Sequence, residues 1–244
     1  MSWIAVLLVG LAVADLAHSI RPVKVVDECV GAAAAVCVGL LAGLTGVGDV
    51  VALGVIAAAV VLWGQTVTRA FAGSRPWLPL LVLGLALAVG VLTSPWAGPA
   101  DGLLGAWLDS VRVPTLQGLS ADRALLLLGA FLMQLSTGNV IVRLVLSATG
   151  TTNPAHHDTP ADPEQLLKGG RLLGPMERVF IVGLGLAGQL TAASIVVAAK
   201  GLLRWPELQS KRDQQRIHRL TEYFLVGSFV SWLVALSSLL LLAR

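Results

Sequence analysis

Polar side chains recur at a regular spacing along an apolar stretch in the C-terminal third of the chain. Arg178, Gln189 and Lys200 are eleven residues apart. At about 100° per residue this spacing puts them on one face of a continuous helix, and Arg204 follows one turn later. Two interpretations stay open. The stripe is a polar seam facing a cavity or an anionic lipid headgroup, or its ends snorkel to water while Gln189 bonds a neighbouring helix.

A second group of polar residues lies in the preceding apolar stretch. Ser136, Asn139 and Arg143 share one helical face. They predict either a polar lining or hydrogen bonds between helices. Arg143 ends this stretch and Glu177 begins the next, so we predict an ion pair between them.

Small residues predict that the last two apolar stretches pack as a hairpin. Gly183, Ala187 and Thr191 recur every fourth residue in the first stretch, as do Gly227 and Ser231 in the second. Such a hairpin brings Glu222 to the same end as two basic residues. We predict an ion pair of Glu222 with Lys200 or Arg204, because a charge near the membrane is tolerated when it is paired.

Other reactive residue types give weaker indications. Asp15 and His18 are one turn apart near a helix end, which favours a solvated pair over a proton relay. The adjacent His156 and His157 lack the fixed spacing of a metal site. No nucleophile–base set or nucleotide-binding loop is present in the sequence. We therefore expect no metal, no cofactor and no catalytic residue, and the sequence argues against an enzyme.

Composition predicts a membrane protein. The chain is 56% hydrophobic and 13% charged, with a mean hydropathy of +0.81. Soluble domains average about 25% charged residues, and so few charges do not cover a soluble surface. The basic residues, which give a net charge of +3, lie at the ends of apolar runs. This distribution indicates membrane orientation and attraction to anionic lipid, not nucleic-acid binding.

The predicted fold is an all-α, polytopic transmembrane helical bundle with about seven spanning helices. A spanning helix needs about 20 apolar residues, and most of the seven Trp lie near the ends of such runs, as at a bilayer interface. The candidate spans are 2–18, 29–46, 49–71, 77–95, 123–147, 177–202 and 221–243. A glycine-rich turn at 43–49 separates the second span from the third.

We predict a single transmembrane domain over 1–244. It divides into an N-terminal four-helix part over 1–95, an interfacial segment over 96–122 and a C-terminal three-helix part over 123–244. The middle segment contains Pro, Gly and Asp, and its apolar side chains fall on one helical face. These features predict an amphipathic helix in the interface or a re-entrant segment, not a spanning helix.

A resemblance supports a bacterial location. The run from Gly169 to Arg178, with the later Gly188-Gln189, Lys200, Arg204 and Glu222-Tyr223, resembles the signature of an uncharacterised bacterial inner-membrane family, the domain of unknown function 3307 group. The resemblance covers about 139–235. It implies a location in the bacterial cytoplasmic membrane. It singles out Arg171, Glu177, Arg178, Lys200, Arg204 and Glu222, and it implies no mechanism.

Two functions remain as hypotheses. The first is a non-enzymatic membrane component that binds lipid headgroups, anionic ones included, or a partner protein such as a second copy of the chain. The second is a small transporter or channel with a polar route along the fifth and sixth spans. Both draw on the same candidate residues, which are Asn139, Arg143, Arg171, Glu177, Arg178, Gln189, Lys200, Arg204 and Glu222.

Overall fold

The fold is all-helical throughout the part of the chain that the structure describes. The structure is a computed structural model that describes residues 1–20, 25–114, 116–151, 170–208 and 214–243, with the backbone alone for 170–172, 200–201, 203–208 and 214–220. The α-helices are α1 (Ser2–Ile20), α2 (Val26–Leu41), α3 (Val47–Phe71), α4 (Trp77–Thr93), α5 (Gly102–Ser110), α6 (Ala121–Leu135), α7 (Thr137–Ala148), α8 (Gly170–Leu186), α9 (Leu190–Leu208) and α10 (Gln214–Leu242). The predicted all-α class is confirmed.

Fewer helices can cross a membrane than the sequence predicts. Among the described residues, four helices are long and apolar enough: Ser2–Ile20, Val47–Phe71, Trp77–Trp96, which includes a short 3-10 turn, and Thr221–Leu242. A fifth is added if the bent pair α6 and α7 counts as one span. The prediction of seven spans is therefore wrong, and four to five is the number that length and composition support.

Breaks in the helices account for the difference. The predicted span 123–147 is interrupted at Ser136, between α6 and α7. The predicted span 177–202 is interrupted between α8 and α9, where Gly188 has a φ of +73° that other residues adopt only with strain. The predicted span 29–46 is replaced by α2, which has 16 residues and ends at Leu41. The glycine-rich turn after α2 is confirmed, with Gly43 at a φ of +82°.

The chain forms two compact units, Met1–Thr137 and Gly138–Arg244. In the first unit, α1 packs against α2, α3, α4 and α6. Its apolar side chains from Ile4 to Leu11 are almost completely buried, so α1 is the central helix of this unit. A helix that is apolar on all sides suits this position, because each of its faces meets a neighbouring helix.

Small residues bring α1 and α2 into close contact. A Cβ atom added to Gly31 would lie 2.5 Å from the Cβ of Ala14 and 2.7 Å from the carbonyl oxygen of Gly10. One turn away, a Cβ on Gly10 would lie 2.8 Å from the Cβ of Ala35. Each helix therefore presents a small residue every fourth position at the crossing, an arrangement that lets two backbones approach closely.

The segment 96–122 contains a short helix and no spanning helix. α5 has nine residues, and it contacts α2 and α6. Leu108 is buried, whereas Leu103 and Trp107 are more than half exposed. The apolar face predicted from the sequence is therefore only partly covered by the protein. The backbone N–H of Asp101 donates to the carbonyl oxygen of Ala42, which joins the start of α5 to the end of α2.

In the second unit, α8 packs against α9 and α10. Gly185 of α8 lies against Leu239 of α10, since a Cβ on this glycine would lie 2.5 Å from a leucine methyl group. Gly227 of α10 instead faces Leu146 of α7, because a Cβ added to this glycine would lie 3.6 Å from a methyl group of the leucine. The part of the predicted hairpin formed by α8 and α10 is thus present. Its contacts differ from the prediction, because a Cβ on Gly183 would meet nothing within 4 Å.

The α1–α2 crossing yields a testable expectation. We expect Gly31→Leu to destabilise the folded protein by about 1 to 3 kcal/mol or more, because the added side chain has no space against α1. The measurement is the thermal unfolding midpoint in detergent, followed by Trp fluorescence. Gly54→Leu is the matched control, since a Cβ on Gly54 in α3 would meet nothing within 4 Å. Equal midpoints for the two variants would contradict the crossing.

Candidate functional site

Among the side chains of the second unit that the structure describes, Arg178 is the most deeply buried charge, at 1% exposed. Its Nη2 donates to Oδ1 of Asn139 at 2.8 Å, and its Nη1 donates to Oγ of Ser231 at 3.1 Å. These partners belong to α7 and α10. The guanidinium of α8 therefore links three helices, and its planar set of five N–H donors suits this task.

The glycine at position 138 makes room for the guanidinium. A Cβ added to Gly138 would lie 2.6 Å from Nε of Arg178, so any side chain at this position would displace the arginine. A Cβ added to Gly174, one turn before Arg178, would lie 3.5 Å from Nη1, which is an ordinary contact. The position of the guanidinium therefore depends on glycine at 138 and not at 174.

A carboxylate accompanies the arginine. Glu177 is 6% exposed, and its Oε1 accepts a hydrogen bond from Nε1 of Trp232 at 2.9 Å. Its charge also acts favourably on the neighbouring guanidinium. We call Asn139, Glu177, Arg178, Ser231 and Trp232 the arginine cluster. The cluster combines opposite charges with neutral hydrogen-bond partners. Such pairing and hydrogen bonding stabilise buried charges in proteins.

The structure brings together three of the residues predicted from the sequence: Asn139, Glu177 and Arg178. It places Gln189 elsewhere, exposed in the turn between α8 and α9. The predicted polar stripe is therefore wrong, because it requires one continuous helix from Arg178 to Lys200.

The remaining predicted positions lie apart from the cluster or outside the description. Arg143 and Glu222 have exposed side chains. The side chains of Arg171, Lys200 and Arg204 lie outside the described residues. The predicted ion pairs of Arg143 with Glu177 and of Glu222 with Lys200 or Arg204 therefore stay predictions. The loop that contains His156 and His157 also lies outside the described residues.

The first unit contains a buried carboxylate in its central helix. Asp15 of α1 is 8% exposed, and both its oxygens accept from Nε1 of Trp63, at 3.1 and 3.2 Å. Thr137 lies beside the same carboxylate, although its buried hydroxyl oxygen makes no well-formed hydrogen bond. The interpretation of Asp15 as solvated is wrong, and Trp63, which donates to it, is completely buried.

Two acidic residues and a histidine lie where the end of α1 meets the start of α2. Nδ1 of His18, in the last turn of α1, is 2.8 Å from Oδ2 of Asp27, in the first turn of α2. The next residue, Glu28, is 7% exposed and packs against Gly64 of α3. We call Asp15, His18, Asp27 and Glu28 the acid–histidine cluster.

The opposite end of the same helices has a smaller polar contact. Oδ1 of Asp49 accepts from Nε1 of Trp3 at 2.7 Å and from the backbone N–H of Gly98 at 3.1 Å. The hydroxyl of Ser2 donates to the carbonyl oxygen of Gly98. Asp49 lies in the first turn of α3, where a negative charge interacts favourably with the helix dipole. These bonds hold the starts of α1 and α3 to the loop that follows α4.

The sequence interpretation missed Trp63, Asp27 and Glu28. For Asp27 and Glu28, their positions relative to the small residues would have identified them. Asp27 and Glu28 precede Gly31 by about one turn, and Asp15 and His18 follow Gly10 by one to two turns. An antiparallel pairing of these two small-residue stretches places the four polar residues together.

Across the described ranges, no group of three His, Cys, Asp or Glu side chains is arranged to hold a metal ion. Cys29 and Cys37 are free and exposed. Comparison of the chain with protein-family models, curated proteins and solved structures finds no match. The resemblance to the domain of unknown function 3307 group stays a prediction.

The arginine cluster predicts the effect of removing one acceptor. We expect Ser231→Ala to lower the free energy of unfolding by about 1.5 to 3 kcal/mol, because a buried charged donor loses a hydrogen bond. Ser237→Ala is the matched control on the same helix, since Ser237 is exposed, and it should change stability by less than about 0.5 kcal/mol. Denaturant unfolding in mixed micelles measures both. A control that is as damaging as Ser231→Ala would refute the assignment.

The hydrogen bond between Trp63 and the buried Asp15 predicts that two tryptophan substitutions differ in their effect on stability. Trp63→Phe removes the indole N–H that Asp15 accepts and keeps an aromatic ring, so we expect destabilisation by about 2 kcal/mol. Trp107→Phe is the control, because this ring is 55% exposed. Circular dichroism at 222 nm during heating gives the comparison. The double variant Trp63→Phe/Asp15→Asn tests the cause. If it is no more stable than Trp63→Phe alone, the stability was not lost because the Asp15 carboxylate lacks a donor.

Proposed function

We propose that the chain is a multi-pass membrane protein of the bacterial cytoplasmic membrane and acts there as a non-enzymatic component. In this proposal it binds lipid headgroups or a partner protein. The proposal is supported by the exposed apolar helix faces, by the buried polar clusters between helices and by the motif resemblance in the C-terminal part.

Exposed apolar stripes support the membrane location. On α10, large apolar side chains are exposed at Leu225, Phe229, Leu233, Leu236 and Leu240. They repeat every three or four residues and so form one face. α3 has a similar exposed stripe that begins with Val47, Val51 and Val55. In water such faces would be an association liability, whereas in a bilayer they meet lipid tails.

The bonding of Arg178 is the observation that favours a component without a transport route over a transporter or channel. Asn139 and Arg178 were candidates for a polar route through the protein. In the structure, Asn139 accepts from the guanidinium, which is 1% exposed. A route for ions or solutes needs polar groups that face an opening. These two residues face each other instead, as expected of hydrogen bonds that hold helices together.

The remaining basic residues suit a lipid or partner surface. Arg143 is exposed on α7, and the sequence places Lys200 and Arg204 near the end of an apolar helix. Basic residues at such ends are attracted to anionic headgroups by about 1 kcal/mol each. The exposed Glu222 offers a complementary charge for a partner protein.

A small transporter or channel is the second candidate, and one observation favours it. Asp15 is an ionisable residue inside an apolar helix long enough to span a bilayer. Such residues often mark ion or proton pathways. The pathway would then run through the first unit and not along the fifth and sixth predicted spans.

The lipid-binding proposal can be tested with the purified full-length chain in lipid nanodiscs. We expect phosphatidylglycerol, mixed into phosphatidylcholine, to raise the thermal unfolding midpoint by a few degrees, because the basic side chains bind the anionic headgroups. The variant Lys200→Gln/Arg204→Gln should lose most of this increase. Arg75→Gln/Arg112→Gln is the control with the same loss of charge, and it should keep the increase.

Two other results would redirect the proposal. If the anionic lipid has the same effect on both double variants, headgroup binding at Lys200 and Arg204 is refuted. Photo-crosslinking from positions 143 and 222 in native membranes then tests the partner protein. A proton or ion flux in proteoliposomes, absent from empty liposomes and lost in Asp15→Asn, would replace the proposal by the transporter.

A further inference from the structure

The carboxylate of Asp15 has more oxygen lone pairs than hydrogen bonds. Both of its oxygens accept from a single N–H, that of Trp63, at 3.1 and 3.2 Å, whereas a carboxylate offers about four lone-pair sites. Among the residues that the structure describes, Asp15 has no ion pair. The nearby His18 acts on it but is bonded to Asp27. Because a buried charge needs close partners, this carboxylate has room for a further positive one.

A second oxygen atom lies at the same place. Thr137, the first residue of α7, is completely buried and lies beside Asp15. Its Oγ1 has no hydrogen-bond partner within the described part of the chain, and a buried hydroxyl in this state is costly. A cation stabilises two oxygen atoms that lie side by side without a hydrogen bond between them.

The interruption between α6 and α7 adds further oxygen atoms. Ser136 leaves the helical conformation, with a φ of −124° and a ψ of −65°, and its hydroxyl donates to the carbonyl oxygen of Ala12 at 2.9 Å. Ala12 and Asp15 are about one turn apart on the same side of α1. Carboxylate, hydroxyl and carbonyl oxygens therefore lie close together where a helix is broken. In membrane proteins, such breaks are places where oxygen atoms coordinate Na⁺.

The available ligands distinguish between kinds of cation. Divalent ions take several oxygen ligands, usually from more than one carboxylate. In the ranges that the structure covers, no three His, Cys, Asp or Glu side chains converge, and one carboxylate matches a single positive charge. The space is also small. A Cβ added to Gly129 of α6 would lie 2.9 Å from the carbonyl oxygen of Ala5, so α6 is in close contact with α1.

We propose that Asp15, Ser136 and Thr137 form a binding site for a small monovalent cation, with Na⁺ as its probe. The Asp15 carboxylate supplies the charge, the two hydroxyl oxygens are neutral ligands, and Trp63 holds the carboxylate in place. All these residues belong to the first unit. A bound cation links α1 to the junction of α6 and α7 and so stabilises this unit. The site does not depend on the lipid binding proposed above.

The experiment measures the thermal unfolding midpoint of the full-length chain in non-ionic detergent micelles without phospholipid, at about pH 8, where an ordinary carboxylate is ionised. NaCl is exchanged for N-methyl-D-glucamine chloride at constant ionic strength, so that screening of surface charges stays the same. We expect the midpoint to rise by about 3 to 6 °C for each tenfold increase in Na⁺ above the dissociation constant, because the ion binds only the folded state.

Three variants locate the effect. Asp15→Asn should abolish the rise, because it removes the charge. Thr137→Val should move it to at least about tenfold higher Na⁺, because a ligand oxygen is lost at nearly unchanged volume. Thr66→Val is the matched control and should keep the rise. Thr66 is also a buried threonine, but its hydroxyl donates within its own helix, to the carbonyl oxygens of residues 62 and 63.

Several results would overturn the proposal. One is a midpoint that is the same in Na⁺ and in the organic cation. Another is a rise that Asp15→Asn retains, or one that Thr66→Val weakens as much as Thr137→Val. If Asp15→Asn does not fold, the comparison of the two threonine variants decides. A midpoint that responds to pH through Asp15 but not to Na⁺ would assign the site to a proton instead. Because the micelles contain no phospholipid, none of these failures bears on the lipid-binding proposal.

Discussion

The close crossing of α1 and α2 determines where the polar groups of the first unit can lie. Gly31 meets Ala14 and Gly10 meets Ala35, so the two antiparallel helices are held in one register. One turn from the Gly31–Ala14 contact, the same register brings His18 opposite Asp27. The hydrogen bond between these residues is thus a consequence of small residues elsewhere on the same two helices. A larger residue at the crossing would separate the helices and lengthen this bond.

Glycine has a second role, since charged side chains in both units lie against one. Glu28 packs on Gly64, Arg178 on Gly138, and Asp49 on Gly98. A charged side chain in an apolar bundle needs hydrogen-bond partners at short range, and a glycine on the facing element lets the backbone come close enough. The abundance of glycine therefore reflects the accommodation of charge as well as the packing of helices.

Sequence reasoning predicted the helical class and the positions of the long apolar helices, because both follow from composition and apolar length. It failed where a prediction required one helix to continue without a break. The eleven-residue spacing of Arg178, Gln189 and Lys200 assumes an unbroken helix, whereas Gly188 ends α8 in a left-handed conformation. A window of mean hydropathy does not detect such a break, since glycine and alanine are also common inside membrane helices.

The residues of the candidate sites differ in how far the sequence predicts them. Asn139, Glu177 and Arg178 were identified because polar residues in apolar segments are conspicuous. Their partners Ser231 and Trp232 come from a helix more than fifty residues away, and no local pattern pairs them. Trp63 was missed, because no local pattern shows that its indole N–H donates to Asp15 of another helix. Tertiary contacts decide these cases, and sequence spacing alone does not contain them.

The two clusters differ in a way that bears on what each can do. Arg178 is enclosed by three helices and keeps its charge at every physiological pH, so its bonds hold the helices whatever the conditions. His18 is half exposed and is bonded to a single residue of α2, where α1 and α2 meet. A charge sealed from water therefore links the helices of the second unit, whereas the contact of His18 with Asp27 lies where solvent reaches it.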